Sequence, residues 1–183
     1  MNTFISMLRG VNVSGQNRIR MEALRGAYEA LGLVEVRSYV QSGNVIFDSE
    51  EADASLLTGR IEAQIQKTFG YSVKVFLRGR GDLQRVIAGN PFLKARKEDP
   101  SKLHVTFLYG PPSAAALNDL QNPGDAADEF SVGEQEIFLF CPNGYGRTKL
   151  NNAFFERKLK LPATTRNWSS VNALCALAGG KGK

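Results

Sequence analysis

The sequence predicts an α+β protein made of two ferredoxin-like (βαββαβ) repeats, each followed by an extra helix, with antiparallel sheets. Three observations carry that prediction. Over residues 1–79, short β-type runs alternate with 3.6-periodic segments in the order strand, helix, strand, strand, helix, strand. Glycine, asparagine and serine fall at the junctions between those segments. The same order then returns after residue 102.

Each element has its own reason. Thr3 to Leu8 is an apolar run of strand length, followed by a polar loop from Arg9 to Asn17. Met21, Leu24, Tyr28 and Leu31 recur at spacings of three and four, which places them on one helical face, and Gly32 stands where a helix-ending glycine belongs. Val34 to Val40 and Val45 to Phe47 read as strands joined by the turn Gln41-Ser42-Gly43-Asn44. Asp53 or Ser55 can cap a helix carrying Leu57, Ile61, Ile65 and Phe69, and Gly70 ends it. Val73, Val75 and Leu77 alternate as a fourth strand. A short helix from Leu83 to Ala88 and a charged linker follow, so that 80–102 separates the first repeat (1–79) from the second (103–183).

In the second pass, Leu103 to Tyr109 is a strand, Ser113 caps a short helix through Leu120, and Gly133 turns between strands 129–132 and 136–141. A helix over Thr148 to Leu159, a short strand at Ala163 to Thr165 and a helix from Trp168 to Ala178 complete the chain, with residues 179–183 expected to be a disordered tail.

Composition narrows the function. A chain of 183 residues can bury roughly 70% of its unfolded surface and needs no covalent staple. Its two cysteines give no disulfide framework, and its single histidine excludes multi-histidine zinc and two-histidine iron sites. No metal and no cofactor is expected. Apolar runs are too short to span a membrane, and Arg9 interrupts the start before a signal core forms, so a cytoplasmic protein is expected. Lys and Arg outnumber Asp and Glu by 23 to 18, for a formal charge of +5, which suits an anionic partner.

The topology brings distant loops together. In a βαββαβ unit, the loop after strand 1 and the turn between strands 2 and 3 share one end of the sheet. Arg9, Asn12, Asn17, Ser42 and Asn44 should therefore gather in the first repeat. In the second, the loop 142–149 and the end of the last strand should meet, gathering Arg147, Thr148, Lys149, Arg166, Asn167 and Trp168. These segments contain donors and no carboxylate, and three lead straight into helices, whose N-termini favour anions. The same residues serve equally as caps and turn formers.

Several weaker signals are discounted. Gly144 to Lys149 lacks Walker A spacing, and Gly79 and Gly81 lack the third glycine of a dinucleotide fingerprint. Phe107, Tyr109, Phe138 and Phe140 lie on strands as in an RNA-recognition sheet, but no RNP1 pattern accompanies them. Cys141 and Cys175 have no C-x-x-C partner. His104, Asp48 and Tyr39 are the available general bases, none within a supporting motif.

The segments Leu8-Arg9-Gly10-Val11-Asn12-Val13-Ser14-Gly15 and Val36 to Phe47, with Gln41-Ser42-Gly43-Asn44 at their centre, are similar to a family of mostly bacterial proteins known only as domain of unknown function 1697. Asn90-Pro91-Phe92, Gly144-x-Gly146-Arg147-Thr148-Lys149-Leu150 and Ala163 to Trp168 match it too. Ser14, Arg20 and Thr148 depart from residues common there, namely Gly, Pro and Ser. The resemblance implies an α+β fold with ferredoxin-like parts and no transferable catalytic residue.

The leading expectation is a soluble binding protein for a phosphate-bearing ligand, a nucleotide or nucleic acid. The alternatives are an enzyme acting on a small phosphorylated or carboxylated substrate, and a protein-interaction module using a sheet face or the acidic stretch 119–136.

Overall fold

The computed structural model describes residues 1–124 and 127–180. Two compact units emerge. One contains Met1–Gln84 and the described part of Ala173–Lys183; the other is Arg85–Asn172. The sequence alone assigns 173–180 to the second repeat. Arg37 explains the difference: its guanidinium donates from one nitrogen to the carbonyls of Leu177 (3.0 Å) and Gly180 (2.8 Å), tying the chain's last helix end to the first unit. Gly179 thus ends the last helix and the Gly180 carbonyl accepts from Arg37, and the rest of the expected tail lies outside the described residues.

The first unit holds strands β1 (Asn2–Leu8), β2 (Val34–Tyr39), β3 (Asn44–Ser49) and β4 (Val75–Gly79), with helices α1 (Met21–Glu29) and α2 (Ala54–Phe69). The antiparallel sheet has the order β2-β3-β1-β4, as a ferredoxin-like unit requires. β1 is central, pairing with β3 (Ile5 opposite Ile46) and β4 (Ile5 opposite Arg78). One face meets the helices: Phe4, Leu8, Val45, Phe47, Val75 and Leu77 pack with Leu24, Tyr28, Leu57, Ile61 and Ile65. The i+4 series of α2 supplies its buried stripe. Asp53 caps α2 by accepting from the Ser55 and Leu56 N–H groups, and Gly70 ends it in the left-handed region. The other face is also buried, since Ile5, Met7, Ile46 and Phe76 are at most 1% exposed.

The second unit repeats the plan. Strands β5 (Leu103–Leu108), β6 (Glu129–Val132), β7 (Glu136–Phe140) and β8 (Ala163–Asn167) form an antiparallel sheet in the order β6-β7-β5-β8. Its helices are α5 (Ala114–Asn118) and α6 (Asn152–Leu159). Leu108, Ile137, Leu139, Leu150, Phe154, Phe155 and Leu159 make the core between sheet and helices. The repeat is detailed: Arg78 opposite Ile5 corresponds to Arg166 opposite Val105, and both arginines are at least 91% buried.

The remaining helices are α3 (Arg80–Gly89), α4 (Pro91–Arg96) and α7 (Trp168–Gly179). The division between units falls inside α3 and α7. α4 corrects the linker reading. Asn90 accepts from the Phe92 N–H (3.0 Å), Pro91 supplies the first helical φ, and Lys97 stops the helix at φ 51°. Arg96 then lies over the rings of Phe92 and Phe140 and bonds both Glu129 oxygens at 3.0 Å. The charged run is the polar side of an anchored helix. α6 starts four residues later than the sequence spacing suggests, because Thr148 Oγ1 takes the Leu150 N–H and Asn151 is the residue that caps Phe154. No helix among the described residues is long and apolar enough to cross a membrane.

Polar atoms facing the first core are paired. Ser6 Oγ and the Tyr28 hydroxyl lie 2.6 Å apart with both residues at most 1% exposed. Burial pushes the Tyr28 phenol well above its usual range. Tyr28→Phe and Ser6→Ala should each cost about 1–3 kcal/mol by stranding the partner hydroxyl, and the double variant should cost clearly less than their sum. Thermal melting of the four proteins checks this. Because the folded phenol titrates above the unfolded value of about 10, its contribution to stability is present below that pH and is lost as the pH rises beyond it.

Candidate functional site

The two loops of the first unit do meet. The Leu8 N–H donates to the Gly43 carbonyl (2.9 Å), and Asn12 Nδ2 donates to the Gln41 carbonyl (2.8 Å). Such closeness demands unusual backbone. Gly10, Asn12, Ser14, Gly15 and Asn17 all have positive φ, as does Gly43 at 76°. A Cβ at Gly43 would stand 2.9 Å from Leu8 Cβ and 3.2 Å from Val11 Cβ. Val40 beside the turn has φ 51°, a costly conformation for a β-branched side chain.

The asparagines expected to face a ligand hold this loop instead. Asn12 Oδ1 accepts from the Ile19 N–H (2.8 Å), while its Nδ2 donates to the Ile19 carbonyl as well as to Gln41. Asn17 Nδ2 donates to the Gly10 carbonyl (3.1 Å). Asn44 is fully buried and donates to the Tyr39 carbonyl and Ser42 Oγ. Arg9 is half-buried, with its N–H on the Lys74 carbonyl.

What the loop presents outward shares only Asn12 with the expected set. A cavity of about 670 Å³ is lined by Asn12, Gly15, Arg18, Ile19, Arg20 and Gln41. Arg18, Arg20 and Gln41 are exposed. Arg20 occupies the N-cap of α1 and makes no side-chain cap, so the first N–H groups of that nine-residue helix have no capping side chain. Glu22 in the first turn offsets part of the positive potential. Neither Arg18 nor Arg20 is among the residues that the sequence marks as ligand-facing. The available signal was a basic pair immediately before a helix that lacks Ser, Thr, Asp or Asn at its cap.

The second unit gathers its loops differently. Tyr145 stacks on His104 with ring centroids 4.8 Å apart, and His104 pairs across the sheet with Asn167. Tyr145 also interacts electrostatically with Arg166. Arg166 is 8% exposed; one guanidinium nitrogen donates to Thr164 Oγ1 (2.9 Å) and the Thr165 carbonyl (3.1 Å), and burial pushes its pKa down to about 10. Thr148 is buried, and Trp168 is 6% exposed. Asn167 caps α7 by accepting from the Ser170 N–H (2.8 Å), as Asn151 caps α6. Both helix N-termini here are thus already capped. Arg147 and Lys149 remain exposed.

The proton-transfer candidates are constrained. His104 is half-buried, its Nδ1 has no hydrogen-bond partner, and burial holds its pKa below the ordinary value. Asp48 accepts from Thr3 Oγ1 at 2.6 Å. The Cys141 thiol is fully buried and pushed up to about 11. No cluster of three or more potential metal ligands occurs among the described residues.

Residues 1–138 match the family described as "Protein of unknown function (DUF1697)". The chain belongs to that family. The DUF1697 match ends before the loop 142–149, so only the first of the two polar sites lies within it. A solved structure, that of the conserved bacterial protein SP0830 from Streptococcus pneumoniae, is similar with a TM-score of 0.73 at 24% identity, covering 97% of this chain and 98% of that one. That likeness shows the shared fold. No curated protein matches the chain significantly in sequence.

Two outcomes follow from this geometry. Gly43→Ala should destabilise more than Gly32→Ala: both positions have positive φ, but a Cβ at Gly32 meets open space. The expected gap is about 1–3 kcal/mol, or about 2–4 °C of melting midpoint per kcal/mol. In the native protein at pH 8, a thiol reagent should modify half-buried Cys175 well before Cys141, which should react only on unfolding.

Proposed function

We propose that this protein binds a phosphate-bearing ligand, a nucleotide or nucleic acid, at the outward face of the loop before α1. One observation carries the reading: the α1 N-terminus has no side-chain cap, and it opens beside a cavity of about 670 Å³ walled by Arg18 and Arg20. Helix N–H groups supply directed donors and a partial positive charge, while guanidinium groups supply full charge and paired donors for phosphate oxygens. Neither arginine side chain makes a hydrogen bond or ion pair among the described residues. Gln41 adds a neutral amide from the facing turn.

Asn12, Asn17 and Asn44 shape this site through backbone bonds, and the ligand contacts fall to Arg18, Arg20 and Gln41. In the second unit, taken by itself, Arg147 and Lys149 are exposed, while Arg166 and Trp168 are buried. This reading places the protein in the cytoplasm, in keeping with two free cysteines.

The test is calorimetric titration with inorganic phosphate, a nucleoside triphosphate and a short single-stranded RNA at two salt concentrations. Saturable binding is expected, with RNA affinity falling steeply as salt rises. Arg18→Ala combined with Arg20→Ala should weaken binding by at least about tenfold, because charge-assisted bonds contribute roughly twice as much as neutral ones. Its melting midpoint should stay put, since both side chains are exposed. Failure of all three probes, or binding indifferent to the double substitution, overturns the proposal.

A further inference from the structure

A second cavity, of about 630 Å³, lies at the opposite end of β1 in the first unit. Its walls include Thr3, Glu35, Arg37, Asp48, Arg80 and Gly180. The volume is in the range of small-molecule sites.

The fold assembles these charges by specific means. β2 carries a bulge between Val34 and Arg37, with Glu35 at φ 52°. Without the extra residue, Val36 would stand opposite Ile46. With it, Arg37 does, and Val36 turns to the helix-side core. The bulge thus keeps apolar Val36 inside while aiming a guanidinium to the cavity side. Asp48 sits near the end of β3, held by Thr3 Oγ1. Arg80 follows directly on β4, next to the backbone of Gly179, where a Cβ would come within 2.6 Å of its guanidinium. Arg37 spends one nitrogen on the Leu177 and Gly180 carbonyls, which fixes its position.

Opposite charges therefore line one cavity without neutralising one another. No ion pair joins Glu35, Arg37, Asp48 and Arg80, and the Glu35 and Arg80 side chains have no hydrogen-bond or ion-pair partner among the described residues. In the sheet order β2-β3-β1-β4, the carboxylates stand on β2 and β3, and Arg80 stands beyond β4. Asp48 and Arg80 are two strands apart across β1, a separation of roughly 10 Å at strand spacing. Held apart in one concavity, such groups are poised for a ligand whose two ends carry opposite charges at matching distance.

We propose that this cavity binds an extended zwitterion, with its carboxylate on Arg80 and its ammonium or guanidinium between Asp48 and Glu35. Basic amino acids such as lysine are the simplest members of the class. A simple α-amino acid without a basic side chain is too short to bridge the two poles. The site is independent of the phosphate site, since it uses none of the same side chains.

The experiment is calorimetric titration of the full chain with L-lysine and with ε-aminocaproate, which keeps only the two separated charges. Hexanoate and hexylamine carry one charge each. Both zwitterions should bind saturably, and both single-charge analogues should bind at least about tenfold more weakly, a difference that reads directly as the loss of one pole. Arg80→Gln and Glu35→Gln should each reduce zwitterion binding by a similar factor. Both residues are exposed, so their unliganded melting midpoints should match the parent and separate lost binding from lost folding. Arg18→Ala should leave zwitterion binding unchanged. Absence of binding by both zwitterions, binding by hexanoate alone at equal strength, or full binding in Arg80→Gln would overturn the proposal.

Discussion

A central strand with neighbours on both sides governs each unit. β1 is hydrogen-bonded to β3 and β4, and β5 to β7 and β8. Along β1, residues 4–8 are buried on both faces of the sheet. A polar atom placed there must find a protein partner or cost its full desolvation. Ser6 meets Tyr28. Thr106 meets Thr165, which in turn donates to Asn152 on α6. The same central placement sends every loop leaving β1 or β5 to an end of its sheet, which is why both candidate sites of the first unit sit at opposite ends of β1.

The separation between structural and binding polarity follows from whether a donor is already spent. Asn12, Asn17 and Asn44 have their amides on backbone groups, and Asn151 and Asn167 have theirs on helix N-termini. α1 is the exception among the longer helices with a described N-cap, since Asp53 and Asn151 cap α2 and α6. An uncapped end flanked by exposed arginines keeps its electrostatic potential available to a ligand. A capped end has used it internally. The charged groups around Arg80 follow the same logic: opposite charges that the fold keeps apart remain available.

The topology was legible because its signals are local and periodic. Met21 to Leu31 shows the helical period, Val73 to Leu77 alternates, and Asp53 and Gly70 bracket α2 as cap chemistry dictates. Less local features escaped. Lys94 to Lys102 reads as a charged linker, yet Asn90-Pro91 starts a helix that runs into it, and only the partners Phe140 and Glu129, distant in sequence, show why Arg96 is held. The β2 bulge adds a residue that breaks the two-residue period, so the facing of Arg37 could not be counted from Val34. For the candidate site, residue type singles out the loop that lines the cavity but not the arginine side chains at its wall. An asparagine in a tight loop looks the same in sequence whether its amide faces backbone or ligand, and positive φ at Asn12 and Asn17 turned theirs inward.

The central claim is that the first unit, through the α1 N-terminus, is where a phosphate group binds. The most direct measurement is the change in backbone amide resonances on titrating inorganic phosphate into labelled protein. The account predicts saturable shifts centred on residues 18–24 and Gln41, with the Arg18 and Arg20 side-chain signals moving along the same curve. Shifts confined to residues 147–151 and 166–170, or no saturable shift anywhere, would contradict it.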